Sequence, residues 1–234
     1  MSLFLQADSL TVASQVVADE QVTEKTLSIW SLLTSGGIGG QIIMIVLFLQ
    51  LFFALFLYFE RLMAINKASK IDANFMNNIK MNIMSGKLDA AKMLCAQTNS
   101  PVARLIEKGI SRIGKPLEDI NTAIENAGNL ELYKLEKNTS MLATISGAGP
   151  MVGFLGTVVG MILAFHEMAS GGGQIEVGVL AEGIYTAMTT TVVGLVVGII
   201  AYVGYNHLVV KTNKVVNQME ANAVDFLDLL NEPV

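Results

Sequence analysis

Charge is scarce in this chain. Only 15% of its 234 residues are Asp, Glu, Lys or Arg, against roughly 25% in soluble domains, while 52% are hydrophobic. That balance excludes an ordinary soluble domain and points to the membrane. Cysteine is nearly missing as well. Cys95 stands alone, so no disulfide can form within the chain. Histidine occurs only as His166 and His207, which fall near opposite ends of two apolar runs. No His, Cys and carboxylate cluster has metal-ligand spacing. There is no GxxxxGK[ST] phosphate loop, and Gly171-Gly172-Gly173 reads as a turn. No nucleophile stands at a recognisable spacing from a base. The expectation is a non-enzymatic protein with no cofactor and no metal.

What the sequence does hold is three long apolar runs. The first centres on Gln41–Phe59, with Gln50 as its one strongly polar interior residue. The others lie around Ile145–Met168 and Val177–Val210. Each exceeds or approaches the roughly 20 residues that cross a 30 Å hydrocarbon core. Lys and Arg set the orientation. One, Lys25, precedes the first run, twelve lie in residues 60–140, none lies in the SGGGQIEVG connector, and two, Lys211 and Lys214, follow the third run. The positive-inside rule therefore puts the N-terminus outside, the 60–140 segment inside, the connector outside and the C-terminus inside. The fold class expected is an all-α membrane protein, with three transmembrane helices and long cytoplasmic helical extensions.

The resulting division is a periplasmic segment 1–38, a first span 39–60, a cytoplasmic helical region 61–140, a second span 141–168, a periplasmic connector 169–177, a third span 178–210 and a cytoplasmic helical tail 211–234. The N-terminal MSLFLQADSL lacks a basic start, so the first span reads as an uncleaved anchor. Leu3, Leu10 and Val17 leave an interfacial helix and disorder both open for segment 3–18.

The region after the first span carries twelve basic and nine acidic residues, a mild excess that fits a membrane face and no nucleic-acid patch. It reads as short amphipathic helices. One carries Leu88, Ala91, Leu94 and Cys95 on one face. Ser100 then caps a helix opened by Pro101. Gly114 and Gly128 are expected to break the pattern, after which a helix runs unbroken from Leu130 to Gly147. From Val179 to Leu230 there is no proline, so one helix is expected to cross the membrane and stand well into the cytoplasm. It needs neighbours there, which self-association supplies.

The two later runs are unusual for lipid-crossing helices. Gly149, Gly153, Gly156 and Gly160 recur at steps of three or four, and Ala187, Gly194 and Gly198 do the same in the third run. Small faces let helix backbones approach closely, and the occupant expected here is a neighbouring copy or a central partner helix. Hydroxyls join them. Thr157 lies beside the first stripe, and Thr186, Thr189, Thr190 and Thr191 crowd the second. One Thr alone usually bonds its own helix one turn back, but five at comparable depth can hydrate a charged group. The span interiors hold no Lys, Arg or Asp, and their only carboxylate is Glu182, near the outer end of the third. An intramembrane ionisable group is a functional candidate, so Glu182 joins Thr157, Thr186, Thr190 and Thr191 as a proton-path and pore-lining candidate.

These motifs carry a resemblance. GAGPMVGFLGTVVGMILAF, residues 147–165, resembles the hallmark of the ExbB/TolQ/MotA proton-channel family, A-P-x-x-G-L-L-G-T-V-x-G-M-I. LAEGIYTAMTTTVVGLVVGIIAYVGYN, residues 180–206, resembles that family's L-A-x-G-I-x-x-A-L-x-T-T-A-x-G-L. Three spans with a large inner segment after the first fit the ExbB and TolQ branches, and ExbB best. The resemblance implies a bacterial inner-membrane protein that forms a ring of five. It further implies an ExbD-type single-span partner bearing a membrane Asp, and a TonB-type protein energised by the proton motive force. Pore threonines of the family fall on Thr157 and Thr191. A Glu that many relatives carry in the third span is replaced here by Thr186, with Glu182 one turn outward.

Overall fold

A computed structural model describes residues 38–72, 74–170 and 177–231. The segment 1–37, where the sequence leaves an interfacial helix and disorder both open, and most of the connector lie outside the described residues. Among the described residues there are seven α-helices and no strand. They are α1 (Ile38–Ala68), α2 (Phe75–Met84), α3 (Leu88–Gln97), α4 (Pro101–Ile110), α5 (Leu117–Glu136), α6 (Thr139–Ser170) and α7 (Val177–Asn231). Three of them contain stretches long and apolar enough to cross a membrane, as the sequence indicates.

Helix α6 runs antiparallel to both α1 and α7. Gly39 of α1 lies against Val159 and Leu163, and Gly40 against Thr186. At the other end of α1, Tyr58 approaches Gly204 and its hydroxyl lies 2.7 Å from His207 Nδ1. The three helices thus form one bundle. Their outer faces carry Phe52, Phe56, Met151, Phe154, Ile199 and Val203, all exposed. In water such a surface would drive aggregation; in lipid it is the expected contact.

The short helices α2–α5 gather at the end where α1 finishes. Ser100 caps α4 by accepting from the Ala103 N–H at 3.1 Å, with Pro101 in the first turn. Gly114 ends the next turn with φ 95°, a conformation glycine adopts without strain. Most of one face of α4 is buried, and Phe226 from the far end of α7 packs beside Gly109 and Ile124. That contact gives the long α7 a neighbour inside its own chain. At 55 residues α7 is about 82 Å long at 1.5 Å per residue.

Two breaks fall elsewhere than expected. Gly128 does not interrupt α5, which runs through it for 20 residues. One glycine costs a helix about 1 kcal/mol, and burial of Ile120, Ile124 and Leu135 on the same helix outweighs that. The break comes instead at Asn138, whose φ of 63° is left-handed. Asn tolerates that region better than most residues. Beyond it α6 continues through Gly147 and Pro150 without ending. Helix α2, rich in Asn and weak in propensity, has no clear sequence signal; it is held by the buried Phe75 and Ile79.

Candidate functional site

The glycine face of α6 is covered by α7 of the same chain. Gly149 faces Gly194 and Gly198, Gly153 faces Thr190 and Gly194, Gly156 meets the Thr190 side chain, and Gly160 meets Ala187. As the position on α6 rises the partner on α7 falls, so the two helices form an antiparallel hairpin in fixed register. The expected occupant, another copy or a partner helix, is therefore corrected to the next helix of the chain. The approach is backbone to backbone. A Cβ on Gly153 would lie 2.8 Å from the Thr190 carbonyl oxygen and 3.0 Å from Gly194 Cα. A Cβ on Gly194 would lie 2.6 Å from the Gly149 carbonyl oxygen. Pro150 also fits this seam, because Gly198 leaves room: a Cβ there would stand 2.7 Å from the proline ring.

The hydroxyls divide into two groups by what they bond. Thr190 and Thr191 both donate to the Gly153 carbonyl across the seam, at 3.3 and 3.1 Å, and Thr190 also reaches Ala187 O at 2.8 Å. These bonds tie the two helices together where no side chain separates them. Thr157 and Thr189 bond within their own helices, to Phe154 O at 2.6 Å and Tyr185 O at 2.9 Å. A donating hydroxyl keeps its lone pairs, so each of these oxygens still accepts.

Position around the helices separates them again. Val159 touches α1, and Thr157 lies two residues away, about 200° round at 3.6 residues per turn. Thr186 also touches α1, and Thr191 lies five residues on, about 140° round. Thr157 and Thr191 therefore stand together on the edge of the hairpin away from α1, both half-buried. Thr190 is buried in the seam at 1% exposure. Thr186 sits against Gly40, and Glu182 is exposed one turn nearer the start of α7. The five candidates do not form one cluster: Thr190 and Thr191 meet at Gly153 and Thr157 lies one turn along α6 on the edge Thr191 faces, while Thr186 and Glu182 stand apart.

At the α2–α5 end nothing in the sequence pattern marks a buried carboxylate, yet Glu131 is only 4% exposed. Arg104 and Lys134 each donate to it at 2.6 Å. Burial pushes its pKa up, but those two hydrogen bonds and charges outweigh burial and hold it below the usual Glu range. Neutralising it leaves Arg104 and Lys134 with a poorer acceptor. Both are partly exposed and can turn to water, so the expected cost of Glu131→Gln is about 1–2 kcal/mol. Thermal unfolding of the solubilised protein at pH 7 checks it; an unchanged midpoint contradicts it. A lowered carboxyl pKa stabilises fully above the unfolded-state value of about 4.3, and the contribution is lost as pH falls through the lower folded value. The difference between wild type and variant is therefore flat from pH 6 to 8 and closes in acid. Cys95, also buried, has its thiol pushed up to about 12, by burial first and then by Glu107. It stays a thiol at neutral pH.

A bundle of three apolar helices, with a glycine-seamed hairpin and hydroxyls at mid-span, defines a multi-pass membrane protein built around close helix contact. The sequence model of the "MotA/TolQ/ExbB proton channel family" matches residues 97–221, which include the seam and the threonines. The chain belongs to that family, which is a channel family and not one of enzymes, and it is a multi-pass protein of the bacterial inner membrane. It is 27% identical over 135 residues to a putative biopolymer transport protein, an ExbB homolog of Methanothermobacter thermautotrophicus. That match covers 58% of this chain and 47% of the relative, so the chain spans about half of that relative's length. It is 25% identical over 218 residues to the Tol-Pal system protein TolQ of Pseudomonas aeruginosa, covering 88% of this chain and 94% of the relative. Against TolQ of Haemophilus influenzae it is 33% identical over 132 residues, covering 56% and 51% respectively.

Proposed function

We propose that this chain is an ExbB-type motor subunit. It would form a proton channel with an ExbD-type single-span partner, assemble as a homo-oligomer, a pentamer by resemblance, and energise a TonB-type protein for transport across the outer membrane. The observation that carries this reading is the Thr157–Thr191 pair on the free edge of the hairpin. Two hydroxyls with spare lone pairs stand side by side where the second and third spans hold no Lys, Arg or Asp, and the one carboxylate of the third, Glu182, lies near its outer end. A proton path needs a titratable group, and here a second chain must bring it. On the positive-inside rule the α2–α5 end is cytoplasmic and the connector periplasmic. One charge moving through 100 mV releases about 2.3 kcal/mol, enough to bias one step of a low-barrier rearrangement.

The TolQ reading, service to envelope maintenance, stands second, and the near-full-length match to the Pseudomonas protein favours it. Both readings require a single-span partner with an Asp near the start of its span. Coexpression of this chain with such a protein from the same genome, followed by purification through a tag on the partner, is expected to recover both in one complex. Partner Asp→Asn is expected to leave that complex assembled and silent. Recovery of the partner alone contradicts the two-chain channel.

A further inference from the structure

The α2–α5 end carries an acidic groove and a basic apolar patch. The groove lies between α5 and α7, has a volume of about 380 Å³ and is floored by Leu105, Ile124, Leu132, Met219 and Leu227. Glu125 and Glu220 line it together with Val224, which is 56% exposed. Neither carboxylate is in an ion pair among the described residues. The field around them is acidic. Residues 117–133 hold four carboxylates, of which Glu131 is already paired, residues 215–231 hold three, and neither stretch holds a Lys or Arg. Such a groove fits an apolar occupant with positive flanks.

The outer faces of α2 and α3 have that character. Met81, Met84 and Met93 are 61%, 69% and 61% exposed, on the sides turned away from the buried Phe75, Ile79, Ala91 and Cys95. Residues 75–97 carry Lys80, Lys87 and Lys92 against Asp89 alone. Methionine fills irregular gaps and recurs at binding surfaces for that reason.

Groove and patch lie at one level. Arg104 bonded to Glu131, and Gly109 against Ile124, set α4 antiparallel to α5 over the length of the groove. Helix α3 packs on α4 and α2 on α3, through three-residue connections at 98–100 and 85–87. Short connections of this kind join antiparallel neighbours, which share one level. That level begins at Val216, nine residues or about 14 Å along α7 beyond His207. A headgroup layer is about 5–8 Å deep, so the patch does not face lipid. Copies inserted in one orientation are related by rotation about the membrane normal. A ring of more than two therefore joins two different faces at equal depth, and these are two such faces with opposite charge.

We propose that the α5–α7 groove receives the α2–α3 face of the next copy of this chain. Met84 and Met93 enter the groove, and Lys87 and Lys92 meet Glu125 and Glu220. The inference rests on the homo-oligomer proposed above and names the surfaces that close it.

The test uses the full chain in inverted membrane vesicles, with two differently tagged copies coexpressed, one Met84→Cys and the other Val224→Cys. Bismaleimidoethane is expected to join them into a dimer bearing both tags, while either copy expressed alone gives little dimer. Glu125→Lys/Glu220→Lys in both copies, or Lys87→Glu/Lys92→Glu in both, is expected to lower the yield about fivefold. All four changes together are expected to restore it. Glu125, Glu220 and Lys87 are exposed and Lys92 partly so, which leaves the fold of each copy intact. No mixed dimer, from copies that run as an oligomer on blue native gels, overturns the interface and leaves the homo-oligomer standing. A yield matched by either copy alone, or unmoved by both charge reversals, also overturns it. So does a Val224→Cys shielded from maleimide only beside the proposed single-span partner, which gives the groove to that partner. A chain that runs as a monomer, alone and beside that partner, fails the homo-oligomer reading and this inference with it.

Discussion

Gly153→Leu is expected to abolish assembly and proton flux together, whereas Gly147→Leu, six residues earlier in the same motif, is expected to be silent. The difference lies in what a side chain meets. At Gly147 nothing stands within 4 Å of an added Cβ. At Gly153 the obstacles are the Thr190 carbonyl oxygen at 2.8 Å and the Cα atoms of Gly194 and Thr191 at 3.0 and 3.1 Å. Those atoms are backbone and cannot rotate away. Overpacking a well-filled site ordinarily costs about 1–3 kcal/mol, and here relief requires moving a whole helix. Separation also breaks the bonds from Thr190 and Thr191 to the Gly153 carbonyl. In a bilayer, where little hydrophobic drive holds helices together, the lost packing has no substitute. Blue native electrophoresis of membranes carrying each variant reads the outcome. Assembled complex from Gly153→Leu at the wild-type level would show that the hairpin is looser than described.

Thr157→Val with Thr191→Val is expected to do the reverse, leaving assembly intact and stopping conduction. Thr157 bonds only its own helix, at Phe154 O. Loss of the Thr191 bond leaves Thr190 still bonded to the same Gly153 carbonyl. The hairpin therefore keeps its glycine contacts and one of its two cross-bonds. What disappears is the pair of oxygens on the edge away from α1. A hydrogen bond to a charged group is worth about 1.5–3 kcal/mol, and each 1.36 kcal/mol is tenfold in rate. Flux is expected to fall on the order of tenfold to a hundredfold. Thr186→Val, against Gly40 of α1, is expected to leave flux near wild type.

Much of the fold was legible because membranes simplify the code. Long apolar runs, the Ser100–Pro101 cap and the proline-free stretch from Val179 each mark a local requirement that tertiary contacts do not alter. Breaks were less legible. Gly128 looks like a helix end, yet burial on either side carries α5 through it; Asn138 ends α5 by a backbone angle that nothing in the apolar pattern marks. The small-residue stripes were visible, but their occupant was not. Spacing shows that a helix comes close and is the same whether that helix is the next in the chain or another protein. The register of Gly153 against Thr190 and Gly194 answers that only in three dimensions. So does the separation of Thr186 from Thr191, which share a sequence cluster and face different neighbours.

In the proposed function the hairpin supplies hydroxyls and another chain supplies the charge. Proton flux into proteoliposomes under an imposed membrane potential measures it directly, with this chain alone, with the proposed single-span partner, and with that partner plus Thr157→Val/Thr191→Val. Expected is no flux from the chain alone, flux with the partner, and its loss in the double variant at unchanged assembly. Proton flux from the chain alone, or full flux from the double variant beside the partner, would contradict it.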